Sequence, residues 1–211
     1  MGKGDGHYLV AAGACYKGLG GVGKNYGVGC ARAIAEGGAG GKGSEIDDAH
    51  AVSAAVGHDE GLRTLHPGRA RGILYGGCLS ILVSLLGTPY EPQTEGKLLF
   101  LEDVSAKPYQ IDRMLWQLQQ AGKLDDVRGI IFGEMLDCTS PGAAPELLDE
   151  VILRVFDNFA GPIAIGLRSG HVSHSNVTLT FGVEAELHAA NQAQLNLLQP
   201  AVEKQLLDSG P

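Results

Sequence analysis

The sequence predicts an α/β fold, a mixed and largely parallel sheet with flanking helices, preceded by a glycine-rich irregular segment. Residues 97–101 (KLLFL) run into two acids, and residues 127–132 and 162–167 are similarly apolar, the pattern of strands covered on both faces. Between these runs lie stretches whose apolar residues recur at helical spacing. Glycine or proline punctuates the junctions.

Composition bounds the function. With 211 residues, 44% of them apolar, the chain can bury the core of one domain. A net charge of −8, with 16 Lys and Arg that form no block, argues against a nucleic-acid partner. The longest apolar stretch, residues 81–86, is far short of the ~20 residues that span a bilayer, so no membrane partner and a cytoplasmic location are expected. Cys15, Cys30, Cys78 and Cys138 lie far apart and pair with no histidine at zinc-ligand spacing. Free thiols are expected, with neither a metal site nor a disulfide.

Residues 1–61 differ from the rest, since more than half of the 32 glycines fall there and no long period develops. Residues 8–12 can form a strand, and residues 31–36 and 47–56 helices, each cut short by glycine. Within this segment GLGGVGK, residues 18–24, fits the start of a phosphate-binding loop. Asn25 then stands where a Ser or Thr hydroxyl would hold magnesium, and the preceding residues make a poor buried strand, so a glycine-rich loop is the expectation.

From residue 62 each element can be placed, giving a domain over residues 62–190. Residues 69–75 predict a strand, Gly76-Gly77 a turn, and residues 78–86 a helix closed by Gly87 with Pro89 beyond it. After the strand at residues 97–101, Pro108 opens a helix to residue 121, with Ile111, Met114, Leu115 and Leu118 on one face and Gly122 as its stop. Residues 127–132 are the next strand, and residues 145–159 a helix with Leu148, Val151, Ile152, Val155 and Phe159 on its apolar stripe. Residues 162–167 make another strand, and residues 177–187 a strand or hairpin. The tail, residues 191–211, predicts an amphipathic helix interrupted at Pro200.

Polar residues follow the buried strands: Glu102 and Asp103, then Glu134 and Asp137, then His171. If those strand ends share a rim, a carboxylate there can orient a histidine that acts as general base for a serine. Glu102 and His171 are the expected pair, within hydrogen-bonding distance or one water of it. The competing reading is a solvated Glu and a loop His bonded to a carbonyl. His50, His58 and His66 are read as surface or loop residues.

Four ordered segments, RARGILYGGCLSILVSLLGTPYEP, LFLEDVSAKPYQIDRMLWQLQQAG, RGIIFGEMLDC and PIAIGLRSGHVSHSNVTLTFGVEAEL, resemble the LD-carboxypeptidases, serine peptidases that remove the terminal D-amino acid from peptidoglycan tetrapeptides. The resemblance covers residues 62–190, the family's C-terminal domain. It implies that Glu102 and His171 are the triad Glu and His. It also implies that Gly76, Gly77 and Cys78 lie beside the site as substrate-binding residues, with Cys78 where Asn is common. The implied chemistry is metal-free and cofactor-free hydrolysis of an L,D-peptide bond in murein recycling, with a peptidoglycan-derived peptide as partner. Oligomeric state is left open, a homodimer among the options.

The family places its nucleophilic serine on a strand-to-helix turn of an N-terminal domain, within a Gly-Tyr-Ser-Asp type sequence, and this sequence contains no such turn. Ser44 and Ser53 precede the matching region without a strand before them. Ser80, Ser84, Ser140, Ser169, Ser173 and Ser175 lack a nucleophile-elbow signature. The expectation is therefore a carboxypeptidase-like domain whose nucleophile is not identifiable, behind a replaced or frame-shifted N-terminal region. A non-catalytic peptide-binding remnant and a self-immunity peptidase against a peptide-nucleotide antibiotic are the alternatives.

Overall fold

The structure, a computed structural model, describes residues 61–139, 142, 144 and 146–199. The glycine-rich loop at residues 18–24, the other elements expected before residue 61, and Ser44, Ser53, His50 and His58 lie outside the described residues, as do Ser140 and Pro145.

β1 (Arg63–His66) and β2 (Gly68–Cys78) are followed by α1 (Leu79–Ser84), β3 (Lys97–Glu102), α2 (Pro108–Gln120), β4 (Gly129–Gly133), α3 (Leu147–Val155), β5 (Ile163–Leu167), β6 (Glu184–Ala189) and β7 (Gln194–Leu197). Among the described residues they build a seven-stranded sheet in the order β1-β5-β4-β3-β2-β6-β7. β2, β3, β4 and β5 are parallel neighbours, and β1, β6 and β7 pair antiparallel at the two sides. Each parallel strand is laid on the same side of its predecessor. Right-handed crossovers then put α1, α2 and α3 on one face.

The apolar runs read as two-sided strands because both faces are covered. Leu99, Leu101, Ile130 and Phe132 point into the core beneath the helices, with Ile111, Leu115, Leu118 and Ile152. Their neighbours Leu98, Phe100 and Ile131 point to the opposite core, closed by Leu179, Phe181 and Val183 and by the inward residues of β6 and β7. α2 follows its sequence signals closely. Pro108 stands in its first turn, Gln110 Oε1 accepts the Lys107 N–H at 2.8 Å, and Gly122 adopts φ +69 just past its end.

Several expectations need correction. Gly76-Gly77 is not a turn: both residues continue β2 in parallel register, Gly76 beside Phe100 and Gly77 beside Leu101. A Cβ on Gly76 would lie 1.9 Å from the Phe100 carbonyl oxygen, so glycine serves close strand approach here. The first helix is correspondingly shorter, and α3 ends at Val155, before Asp157 and Asn158, which favour loops over helix. Residues 177–183 form a connecting loop, and the strand expected there is β6. Residues 194–197, expected in a helix, are strand β7: Leu195 and Leu197 alternate with Gln194 and Asn196, and β6 offers the ladder that this period-two pattern fits. β1 was not anticipated, and His66 lies in it with a ring nitrogen 2.8 Å from the Gly161 carbonyl.

One ion cluster braces the antiparallel side. Arg69 and Arg71, two apart on β2, reach Glu186 on β6 at 2.7 and 2.6 Å. The Arg69 hydrogen bond, then that of Arg71, draws the Glu186 carboxyl down to about 2. A carboxylate held lower in the folded than in the unfolded chain stabilises above its unfolded value, and that stability is lost as pH falls toward the folded one. Glu186→Gln is expected to lower unfolding free energy at pH 7 by about 1 kcal/mol, a modest figure because the arginines are 63% and 61% exposed. Urea titrations should show the difference shrinking below pH 4.5; a pH-independent difference would remove the charge from the explanation.

Candidate active site

Four parallel strands bring their C-terminal ends to one rim, where open α/β sheets collect chemistry. Cys78 ends β2 and lies beside Glu102, which ends β3. Glu134 directly follows β4, and the loop after β5 carries His171.

Glu102 is only 4% exposed. Its Oε2 accepts the His171 backbone N–H at 3.0 Å and lies 2.8 Å from His171 Nδ1. With an ionised carboxylate as acceptor, Nδ1 carries the proton and donates it, so a neutral imidazole presents its lone pair at Nε2. Nearly half of the His171 side chain is exposed, which leaves the ring reachable by a reactant while its carboxylate partner is buried.

Two glycines make room for this pair. A Cβ on Gly133 would stand 2.7 Å from Glu102 Cβ, and one on Gly170 2.5 Å from Glu102 Cγ. Gly170 also adopts φ +91, a conformation that L side chains rarely take. Sequence reasoning missed both roles. Their signal was present, a glycine directly after a buried strand and another directly before a candidate base, but no period or spacing reveals what a missing Cβ would strike.

Asp103, 4% exposed, points elsewhere. Its Oδ2 accepts the Ser80 N–H at 2.9 Å, supplying α1 with the cap that the Cys78 side chain does not provide, and its Oδ1 accepts the Val104 N–H at 2.8 Å. Cys78 Sγ lies 3.2 Å from Ser80 Oγ, and burial pushes the Cys78 thiol up, which keeps it protonated at neutral pH. Cys138 is fully buried and raised to about 11 by burial. Gly76, Gly77 and Cys78 do therefore border Glu102, though as a strand end. Asp137 is exposed at φ +56.

Ser80, Ser84 and Ser173 have local side-chain partners, whereas the buried Ser169 Oγ meets no hydrogen-bond partner among the described residues. Ser84 Oγ donates to the Ile81 carbonyl, while Ser173 bonds Glu134 and lies 2.7 Å from His174 Nδ1. Ser169 is buried at 1% exposure. Among the described residues no three His, Cys, Asp or Glu side chains cluster as a metal site, and no helix is long and apolar enough to cross a membrane.

A buried carboxylate that fixes the tautomer of an accessible imidazole, set on the rim of a largely parallel sheet, is an arrangement able to take up and release a proton. The chain belongs to the LD-carboxypeptidase family, matching the LD-carboxypeptidase C-terminal domain over residues 71–187. It is similar to a probable murein peptide carboxypeptidase of Bacillus subtilis (strain 168), 43% identical over 132 residues that cover 62% of this chain and 41% of that protein. Among solved structures it is similar to an MccF-like protein from Bacillus anthracis, with TM-score 0.60 and 28% identity over 67% of this chain and 44% of that one. It is also similar to a muramoyltetrapeptide carboxypeptidase from Oxalobacter formigenes, with TM-score 0.55 and 28% identity over 63% and 46% of the two chains. The chain spans about two fifths of the length of the curated relatives it matches.

Proposed function

We propose that this chain supplies the acid–base half of an LD-carboxypeptidase site acting on the L,D-peptide bond of peptidoglycan tetrapeptides, with Glu102 and His171 as its catalytic residues. The 2.8 Å contact between Glu102 Oε2 and His171 Nδ1 is the observation that carries this reading. His171 Nε2 takes the proton of an attacking serine hydroxyl, and Glu102 stabilises the imidazolium. The proton then passes to the departing D-amino acid's amine, and the same base activates the water that hydrolyses the acyl-enzyme. Gly76, Gly77 and Cys78 border the peptide's path beside Glu102. The proposed setting is murein recycling in the cytoplasm, and residues 62–190 are the proposed unit that carries it.

The nucleophile and the backbone donors for the oxyanion are assigned to no residue of this sequence, whose first 61 residues lack the family's serine turn. The full chain is therefore expected to bind a stem tetrapeptide saturably, with perturbation of His171 ring signals, and to release D-alanine no faster than its His171→Ala variant. Turnover abolished by His171→Ala would reveal a nucleophile within the chain and overturn the incomplete-site reading. Absence of both binding and turnover would count against the peptide-site reading. Likeness to the MccF-like protein motivates a parallel assay with an acylated nucleotide analogue; cleavage of that compound alone would favour the self-immunity alternative.

A further inference from the structure

Glu134 has no part in the proton transfer proposed above, yet it binds the loop that carries His171. Its Oε2 accepts the Ser173 backbone N–H at 3.1 Å, and its Oε1 accepts the Ser173 hydroxyl. Adjacent parallel strands thus each end in a carboxylate that takes hold of the same loop, Glu102 at His171 and Glu134 two residues later. The base of the loop is closed by the Val177 N–H on the Arg168 carbonyl at 2.6 Å and by Asn176 Nδ2 on the Gly170 carbonyl at 2.8 Å. Because the Ser173 hydroxyl proton goes to the carboxylate, His174 Nδ1 donates to Ser173 Oγ and extends the same chain of bonds.

The loop needs this hold because burial does not provide it. Residues 173–176 are exposed, and the His171 side chain is 49% exposed. Glu102 holds His171 at its backbone N–H and its Nδ1, but reaches none of the exposed residues that follow it in the loop. Two charge-assisted bonds at Ser173 hold those residues, since hydrogen bonds to an ionised acceptor are about twice as strong as neutral ones. We propose that Glu134 is a positioning residue, holding the 168–177 loop through Ser173 so that His171 keeps its Nδ1–H on Glu102. The proposal rests on the reading of Glu102 and His171 as a working pair, and it extends the site to a third strand end.

The test follows the His171 ring in the full chain by imidazole nitrogen–proton NMR, with the signal assigned by its loss in His171→Gln. In the wild type the Nδ1–H proton is expected to be protected from exchange and the ring held in one tautomer. Glu134→Ala should accelerate exchange of that proton at least tenfold, and Glu134→Gln, which keeps one acceptor, by less. Ser173→Ala removes only the hydroxyl arm and should also give an intermediate effect, so the proposal stays testable should Glu134→Ala fold poorly. Equal protection in the wild type and all three variants overturns the role of Glu134. Glu102→Ala separates the two readings: loss of protection there with none in the Glu134 and Ser173 variants removes only the positioning role, whereas retained protection in Glu102→Ala removes the pair itself.

Discussion

Joined behind the N-terminal portion of the Bacillus subtilis relative, residues 62–199 are expected to release D-alanine from a stem tetrapeptide, and His171→Ala in that chimera to lower the rate by about 10³-fold or more. The relative is 43% identical over the shared region, and its additional length is where the family resemblance expects the serine turn. Glu102→Gln should be similarly damaging for a different reason. An amide can donate its NH₂ to Nδ1, which favours the tautomer with a proton on Nε2 and removes the lone pair that the reaction needs. Initial rates of D-alanine release check both. A chimera that turns over equally well with His171→Ala would exclude this histidine as the base.

Gly170→Ala is expected to cost about 2–4 kcal/mol of unfolding free energy, because two separate penalties meet at one atom. The residue sits at φ +91, and its new Cβ would stand 2.5 Å from Glu102 Cγ and 2.6 Å from Glu102 Cδ. Gly182 provides the control. It has φ +85, but a methyl group added there would meet nothing within 4 Å, so Gly182→Ala should carry only the conformational penalty of about 1 kcal/mol. Urea unfolding of the two variants measures the difference. Equal destabilisation would mean that the Glu102 side chain yields freely, and the cramped seating described for it would be wrong.

The family's C-terminal domain was readable in the sequence because its signals are local and redundant. KLLFLED, the proline that opens α2 and the glycine that closes it each specify an element without distant contacts. The pairing of Glu102 with His171 was also anticipated, although 69 residues separate them, since parallel strands must end at a common rim. The tail was misread for the opposite reason. QLNL contains leucines compatible with either period, and only the open edge of β6 made alternation the period that counts.

By itself the sequence determined the strand–helix succession from β2 to β5, the family and the two residues proposed for acid–base work. The tertiary structure alone decided what surrounds them. It turned Gly76 and Gly77 from a turn into a strand end, gave Asp103 to the cap of α1, and left Glu102 as the carboxylate for His171. It also showed Gly133 and Gly170 as the space around Glu102, and Glu134 as a second hold on the His171 loop. These are properties of distances between strands that are remote in the chain. Hydrophobic period and turn chemistry report which face a residue takes; which atom of another strand meets it is set when the sheet packs and the parallel ladders fix their register.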